Sequence, residues 1–299
     1  MLTVVFTTFN GQSKIRRTLD SLVRQKIESK WELLVVNNNS TDGTVSILEE
    51  YLDKLPLKIL HESRQGKNIA LNSAIPHING DLVLFTDDDV RGEDNWLANS
   101  VLVATEMKEH SIFAGHILPE WEEEPESWII NWAPLGALYA LNSQSEKNIA
   151  CLPGQVWGPN MLIRREVIFD NGLYFDENIG PNGTDFYPMG SETEFTKRAA
   201  EYGYSCFISD KFKVYHLISK SSLCKSWILK RGERLGIGVT MANVKKFDIT
   251  KFLEYYCKSK TYSLLGMFSL IFWNKKVFWV LYKKYYYGGC LKVIKNLYK

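Results

Sequence analysis

Three consecutive aspartates, Asp87, Asp88 and Asp89, are the residues of this sequence best suited to chemistry. They follow, after Thr86, the apolar run Leu82–Phe85, which predicts a buried strand. Adjacent carboxylates repel one another, and their hard oxygens suit Mg²⁺ or Mn²⁺, usually shared with phosphate oxygens. Because side chains alternate along an extended chain, Asp87 and Asp89 are expected to face the same cleft. The alternative is a solvated acidic turn.

Two further polar segments follow predicted strands. Residues 37–44, which read Asn-Asn-Asn-Ser-Thr-Asp-Gly-Thr, offer short amides that can hydrogen-bond a base or a ribose. The same residue types also simply make turns and helix caps. In residues 64–68, Lys67 lies beside a predicted helix N-terminus, where a cation suits a phosphate group.

Alternating strands and helices must position these polar segments. Apolar runs predict strands at residues 2–7, 32–36, 58–60, 82–85 and 112–117. Helical periodicity predicts helices between them, with Ser13 as an N-cap and with Ile15, Leu19, Leu22 and Val23 on one buried face. The alternation indicates an α/β fold with a Rossmann-like, mostly parallel sheet and helices on both faces. Ligands of such sheets bind at the carboxyl ends of the strands.

Composition excludes several classes of protein. The chain has 299 residues, of which 45% are hydrophobic and 23% are charged, so disorder is excluded. Its five cysteines form no C-x-x-C pair, which argues against a disulfide framework and a structural zinc site. These scattered cysteines make a reducing cytoplasm the simplest location, and Leu2–Phe6 predicts a strand rather than a signal peptide.

The ordered set of motifs resembles the nucleotide-sugar domain of family 2 glycosyltransferases, which have the GT-A fold. The set consists of Thr7-Thr8-Phe9-Asn10, residues 37–44, Gly66 with Ala70 and Asn72, and the three aspartates. The resemblance covers residues 1–216 and implies a GT-A domain with a nucleotide-sugar-binding half, 1–118, and an acceptor half, 119–216. Residues 217–299 are then a helical extension rich in basic and aromatic residues.

The resemblance implies which residues contact the donor. Thr8 and Asn10 match the first-strand motif, Lys67 lies near a basic position that reaches the nucleotide, and Asn37 stands where the family usually has a base-contacting Asp. The three aspartates match the D-x-D motif, in which Asp89 coordinates the metal and Asp87 approaches the ribose or the metal's waters. Asn160 falls in a segment that lines the sugar pocket.

The resemblance also implies a general base and a second metal ligand. Residues 190–195 look like the family's Gly-Glu-Asp-x-Glu helix start, with Ser191 in place of Glu and Glu192 in place of the catalytic Asp. Glu194 and Asp185 are rival carboxylates for the base. His216 matches a strand end whose histidine completes the metal site, although a lone histidine is often structural.

These matches imply direct displacement with inversion. A divalent cation, Mn²⁺ or Mg²⁺, is expected to neutralise the departing diphosphate, and Glu192 to deprotonate an acceptor hydroxyl. The donor is expected to be a nucleotide sugar, most simply a UDP-sugar, and the acceptor a glycan or a lipid-linked sugar.

The basic extension suggests a further partner. Residues 1–210 carry 17 basic and 31 acidic side chains, whereas residues 211–299 carry 19 basic and three acidic ones. Lysines mixed with aromatic and aliphatic residues over 251–299 predict helices at a membrane interface, so we expect peripheral binding to the cytoplasmic face of a membrane. The alternative is a helical extension packed on the catalytic domain. Nucleic acid is not expected, because no nucleic-acid motif is present and the first part is acidic.

Two rival functions stay open at the level of sequence. A sugar-1-phosphate nucleotidylyltransferase would carry a glycine-rich basic loop after the first strand, where this chain has Asn10-Gly11-Gln12-Ser13. A non-catalytic glycan- or membrane-binding protein on a degenerate transferase fold is suggested by the departures at Asn37, Ser191 and Glu192. The intact aspartate cluster argues against the second rival.

Overall fold

A computed structural model describes residues 1–142, 147–184, 187–244, 246–268 and 273–298. Within them the strands form one nine-stranded sheet. The strands are β1 Leu2–Thr8, β2 Trp31–Asn37, β3 Leu57–His61, β4 Leu82–Phe85, β5 Val90–Gly92, β6 Ile112–Trp121, β7 Ile149–Cys151, β8 Met161–Arg164 and β9 Cys206–Ile218.

The sheet joins a parallel part to an antiparallel part. Its order is β3-β2-β1-β4-β8-β6-β9-β5, and β7 also pairs with β9. The first four strands in this order are parallel, whereas β8 runs antiparallel to both β4 and β6, and β9 runs antiparallel to β5 and β7. The mixed α/β architecture and the C-terminal helical extension confirm the predicted fold class.

Eleven helices connect and extend this sheet in the described ranges. They are α1 Ile15–Val23, α2 Thr44–Glu49, α3 Lys67–Ala74, α4 Trp96–Glu106, α5 Ser127–Trp132, α6 Leu135–Tyr139, α7 Glu166–Phe169, α8 Ser191–Glu201, α9 Lys225–Asn243, α10 Ile249–Phe268 and α11 Lys275–Tyr298. The hydrophobic core packs α3 and α8 on apolar side chains of β1, β2, β4 and β8, as their periodicity requires.

Several local predictions differ from the structure. Lys14, not Ser13, is the N-cap residue of α1, and it makes no side-chain capping bond. Val23 is 45% exposed, so the buried face of α1 ends at Leu22. Residues 161–169, whose pattern also suggests a helix, form strand β8 and the short helix α7, because a run of three apolar residues does not distinguish strand from helix.

The chain divides into two compact units. Unit 1 comprises Met1–Glu120, Ala140–Glu177 and Ser191–Leu217, and it contains nearly all of the sheet. Unit 2 comprises Trp121–Tyr139, Asn178–Gly190 and Ile218–Lys299. In unit 2, α11 packs against α9 and α10, and a β-carbon added at Gly236 or Gly289 would overlap the backbone of the facing helix. The predicted division at residue 216 stays a prediction.

No helix in the described part of the chain is long and apolar enough to cross a bilayer.

Candidate active site

The three aspartates lie where β4 ends and the chain turns toward β5. The strand stops at Phe85, and Asp88 and Asp89 lie in a turn, so the alternation expected of a strand does not extend to them. Thr86 anchors the turn by donating its hydroxyl to the carbonyl of Pro159, 2.8 Å away. The aspartate side chains consequently separate into two clusters, each containing one lysine.

The first cluster contains Lys14, Asp88, Asp89 and His216. Lys14 Nζ lies 2.8 Å from Asp88 Oδ1 and 3.1 Å from Asp89 Oδ2. Asp88 is buried, and its other oxygen accepts a 2.7 Å hydrogen bond from the hydroxyl of Thr8. His216 Nε2 lies 3.4 Å from Asp89 Oδ1, because β9 pairs with β5 in the register that places His216 opposite Val90.

Burial and charge act against each other in the first cluster. Burial by itself would raise the pKa of Asp89, but the Lys14 ammonium and the His216 imidazole outweigh it and hold that pKa well below the ordinary value. Burial raises the pKa of Asp88, with Lys14 acting against the shift and Asp89 adding to it. Burial lowers the pKa of Lys14, but the two carboxylates more than reverse this, so Lys14 stays charged. The cluster is therefore an ammonium ion held by aspartates.

The second cluster contains Lys67, Asp87 and Glu192. Lys67 Nζ lies 2.6 Å from Asp87 Oδ1 and 3.4 Å from Glu192 Oε1. All three side chains are largely buried, with exposed fractions of 19%, 22% and 18%. Burial lowers the pKa of Lys67, but the carboxylates of Asp87 and Glu192 raise it further above the ordinary value. Lys67 therefore connects the predicted general base to the first aspartate of the predicted D-x-D motif.

Helices α3 and α8 position Glu192. Ser191, at the first position of α8, donates its hydroxyl to Asn68 Oδ1 on α3 at 2.7 Å, and Asn68 Nδ2 donates to the carbonyl of Asp176 at 2.7 Å. Gly158 leaves room for the carboxylate, because a β-carbon there would overlap Glu192 Oε1. Ser191 thus fixes the start of the helix that carries the predicted base.

The rival carboxylates lie elsewhere or are not described. Glu194 receives two hydrogen bonds from Arg198, Nε at 2.5 Å to Oε1 and Nη2 at 2.8 Å to Oε2. Arg198 also donates to the carbonyl of Tyr174, so it holds Glu194 along α8. Asp185 lies outside the described residues.

The asparagine-rich turn after β2 is held by its own side chains. Asn37 Oδ1 accepts from the backbone N–H of Ser40 at 3.1 Å, and Asn37 Nδ2 lies 3.4 Å from His61 Nδ1. Asn10 has a left-handed backbone, with φ of 50°, and its side-chain oxygen accepts from the Thr41 N–H at 2.9 Å. Thr8, Asn10 and Asn37 therefore gather at the carboxyl ends of β1 and β2, as strand order predicts.

Asn160 lies apart from these residues. It is fully buried, and its side-chain oxygen accepts from Trp96 Nε1 at 2.9 Å. Its amide nitrogen donates to the carbonyls of His116 and Phe212. The amide of Asn160 is therefore engaged with protein groups, and its contact with a donor sugar stays a prediction.

Sequence reasoning missed Lys14, and it grouped Asn38 with the candidate donor-binding amides of residues 37–44 without foreseeing its structural role. Asn38 is buried and braces the loop before α3, because Nδ2 donates to the carbonyls of Glu62 and Arg64 while Oδ1 accepts from the Gly66 N–H. Lys14 precedes an amphipathic helix, where lysine is common on the solvent side. The sequence feature that could have identified Lys14 is its position one turn before Thr18, on the same helix face.

The residues present fit a divalent cation. Asp89 Oδ1 is buried and accepts no hydrogen bond of ordinary geometry in the described part of the chain, although it faces His216. Four carboxylates of the two clusters face two lysines and one histidine, which still leaves negative charge to be offset. No group of three or more His, Cys, Asp or Glu that could hold a metal occurs among the described residues. Mg²⁺ is usually held by one or two carboxylates together with substrate phosphates, which suits this arrangement.

One family model and several curated proteins match much of this chain. The model of the family described as Glycosyl transferase family 2 matches residues 3–169. The uncharacterized glycosyltransferase YfnE of Bacillus subtilis is 25% identical over 241 residues, which cover 79% of this chain and 54% of YfnE. The poly(ribitol-phosphate) beta-N-acetylglucosaminyltransferase TarS of Staphylococcus aureus is 26% identical over 235 residues, which cover 72% of this chain and 39% of TarS. The chain thus spans about half or less of the length of these curated relatives.

Solved structures share the fold. TarS in complex with UDP-GlcNAc matches 90% of this chain and 73% of its own, with a TM-score of 0.52 and 22% identity. The mannosyltransferase PcManGT from Pyrobaculum calidifontis, in complex with GDP-Man and Mn²⁺, matches 99% of this chain and 87% of its own, with a TM-score of 0.64 and 18% identity. At these identities the likeness establishes the GT-A fold alone.

Proposed function

We propose, from the premise that this chain belongs to glycosyl transferase family 2, that it transfers a sugar from a nucleotide sugar to an acceptor hydroxyl with inversion. One observation carries the proposal. Glu192 and Asp87 share the ammonium of Lys67, so a carboxylate able to act as a base lies beside the turn that carries the D-x-D motif. A base and a donor-binding turn in contact are what a direct displacement requires.

The donor is proposed to bind at the carboxyl ends of β1, β2 and β4. We assign nucleotide-sugar contacts to Thr8, Asn10, Asn37, Lys67, Asp87, Asp88, Asp89 and Asn160. Asp89 and His216 would hold Mn²⁺ or Mg²⁺, whose positive charge would stabilise the departing diphosphate. The Mn²⁺ in the PcManGT complex supports a divalent cation, and the UDP-GlcNAc in the TarS complex supports a UDP-sugar donor.

The transfer itself needs no covalent intermediate. Glu192 accepts the proton of the acceptor hydroxyl as that oxygen forms its bond to the anomeric carbon. The bond between the anomeric carbon and the diphosphate oxygen breaks on the opposite side, and its electron pair leaves with the nucleoside diphosphate. The contact with the Lys67 ammonium, 3.4 Å from Glu192 Oε1, holds the carboxylate of the proposed base in place. A glycan or a lipid-linked sugar is the acceptor class that we propose.

The test is a panel of nucleotide sugars with Mn²⁺ or Mg²⁺, in which released nucleoside diphosphate is measured without an acceptor and donor binding is measured by calorimetry. We expect one donor to bind and to be hydrolysed slowly by the wild type. Asp89→Asn should lose both binding and release, whereas Glu192→Gln should lose release and keep binding. Metal-dependent donor binding with no release of nucleoside diphosphate, either without an acceptor or with added glycan acceptors, would instead support the non-catalytic rival. Formation of a nucleotide sugar with pyrophosphate would support the nucleotidylyltransferase.

We also propose that unit 2 binds an anionic membrane surface through α10. Five apolar side chains of this helix are between 41% and 59% exposed: Ile249, Leu253, Tyr256, Leu264 and Leu265. Most of them, with Lys260, recur at helical spacing on one side of α10. Residues 211–299 carry 19 basic against three acidic side chains, so the charge of this part is complementary to anionic lipid. This would place the enzyme peripherally on the cytoplasmic face of a membrane.

Vesicle flotation tests the membrane proposal. The wild type should float with phosphatidylglycerol-containing vesicles at low salt, and less with pure phosphatidylcholine vesicles. The double variant Leu253→Glu, Leu264→Glu should lose binding, whereas Leu102→Glu, which replaces an exposed apolar residue of α4, should keep it. A dimer that dissociates in the same double variant would instead assign this face to a second copy of the chain.

A further inference from the structure

Lys14 occupies Asp89, the carboxylate that we assign to the proposed metal site, together with its neighbour Asp88. Its ammonium bridges Asp88 Oδ1 at 2.8 Å and Asp89 Oδ2 at 3.1 Å. The Asp88 side chain is 10% exposed and that of Asp89 is 23% exposed, so these contacts are formed largely away from solvent. The Lys14 ammonium therefore neutralises part of the carboxylate charge that a divalent cation would neutralise at this place.

The fold directs Lys14 to this place. Helix α1 is fixed against β5 by two buried hydroxyls, because Thr18 accepts from the Val90 N–H at 3.1 Å and Ser21 accepts from the Gly92 N–H at 3.1 Å. Lys14 lies one turn before Thr18 on the same side of the helix. Since Val90 directly follows Asp89, anchoring Thr18 to Val90 brings Lys14 to the aspartate turn.

We infer that Lys14 is a tethered competitor of the divalent cation: it holds Asp88 and Asp89 in the metal-free protein and leaves them when the cation binds. The inference rests on the proposed function, because it takes Asp89 as a metal ligand. A monovalent ammonium and a divalent cation repel each other when both lie against the same two carboxylates. Metal binding must therefore include the free energy of breaking the Lys14 contacts.

The displaced lysine has an anionic partner when donor is present. The diphosphate carries the negative charge closest to a metal held by Asp89, and a lysine ammonium binds phosphate readily as a point charge. Lys14 would exchange aspartate for diphosphate as metal and donor bind together. The metal alone should therefore bind weakly. A nucleoside diphosphate should increase the affinity for the metal in two ways, by coordinating the ion and by accepting the displaced Lys14 ammonium.

The first measurement is a calorimetric titration of Mn²⁺ alone into wild type, Lys14→Gln, Lys14→Arg and Arg16→Gln. We expect Lys14→Gln to bind Mn²⁺ about tenfold more tightly than wild type, a size common for coupled sites. Lys14→Arg retains the charge and should behave like wild type. Arg16→Gln removes a charge from the same helix that pairs with Glu50 instead, and it should also behave like wild type. Equal affinities of wild type and Lys14→Gln, or undetectable binding by both, would overturn the inference.

Two further measurements separate the inference from the proposed function. UDP should increase Mn²⁺ affinity more in wild type than in Lys14→Gln, and an equal increase in both would contradict the exchange. Thermal unfolding checks that the variants fold: Lys14→Gln should unfold at a lower temperature in EDTA and should gain more from Mn²⁺ than wild type gains. If Asp89→Asn keeps full Mn²⁺ affinity, the proposed metal site itself is wrong, whatever Lys14 does.

Discussion

Two lysines in this site each bridge two carboxylates, but they connect different parts of the chain. Lys67 links Asp87 to Glu192, which are distant in sequence, whereas Lys14 links the neighbours Asp88 and Asp89. The Lys67 side chain is 19% exposed and that of Lys14 is 32% exposed. Lys67 holds the proposed base against the aspartate turn, and among the described residues no other ion pair joins Asp87 or Glu192 to a cation. Lys14 offsets the repulsion between Asp88 and Asp89, which a bound metal ion would also offset. The lysine–carboxylate contacts are therefore permanent in the Lys67 cluster and replaceable in the Lys14 cluster.

The largest effect expected from this comparison is on catalysis at Glu192. In Glu192→Gln the amide oxygen still accepts from Lys67, so the cluster keeps its geometry and loses only the base. Since general base catalysis is typically worth ~10²–10⁴-fold, turnover should fall by that factor while donor affinity stays the same. Released nucleoside diphosphate measures turnover, and calorimetry measures donor affinity.

The matched control for Glu192→Gln is Glu194→Gln on the same helix. Glu194 is held by Arg198, outside both lysine clusters, so turnover should stay within about a factor of two. If Glu194→Gln lost as much turnover as Glu192→Gln, the assignment of the base would move to Glu194.

The next effect is on folding stability, and it separates the two lysines. Lys67→Gln leaves two buried carboxylates without their ammonium, and removing one partner of a buried pair costs ~3–5 kcal/mol. Because Lys67 keeps some exposure, we expect about 3 kcal/mol less free energy of unfolding, measured by urea denaturation. Lys14→Gln should lose less, and Mn²⁺ should restore what it loses. A loss at Lys67→Gln that Mn²⁺ also restores would remove the distinction between permanent and replaceable contacts.

The sequence predicted the strand that leads into this site and the position of the aspartates better than it predicted the contacts among the side chains. Strand β4 was predicted at its observed bounds, and the aspartates were found from the rule that ligands bind at strand ends. Both results depend on local patterns. Strand β8 was missed because its pairing with β4 and β6 involves distant residues. Lys14 was missed for a similar reason: a lysine at the start of a helix looks solvated until Thr18 fixes that helix against β5.

A smaller effect is expected where α3 supports the second cluster. Asn68 accepts from Ser191 and donates to the Asp176 carbonyl, whereas Asn72 exchanges two hydrogen bonds with the backbone of Phe175. Either alanine variant leaves backbone groups unsatisfied and should cost about 1–3 kcal/mol of unfolding free energy. Only Asn68→Ala releases the residue before Glu192, so it alone should lower turnover, by about tenfold. Equal turnover in the two variants would show that Ser191 does not orient the base.

The smallest effect is a pH dependence of the Lys67 contacts. Burial opposes the charge of Lys67, but Asp87 and Glu192 outweigh burial and raise its pKa above the ordinary lysine value of about 10.4. The folded protein therefore binds this proton more tightly than the unfolded chain, and the resulting stabilisation is complete below about pH 10 and declines as pH rises toward the folded-state pKa. The difference in melting temperature between wild type and Lys67→Gln should be constant from about pH 7 to about pH 9 and should shrink near about pH 11. A difference that instead grew with pH in that range would mean that Lys67 is not stabilised by its carboxylates, and the second cluster would then be no more permanent than the first.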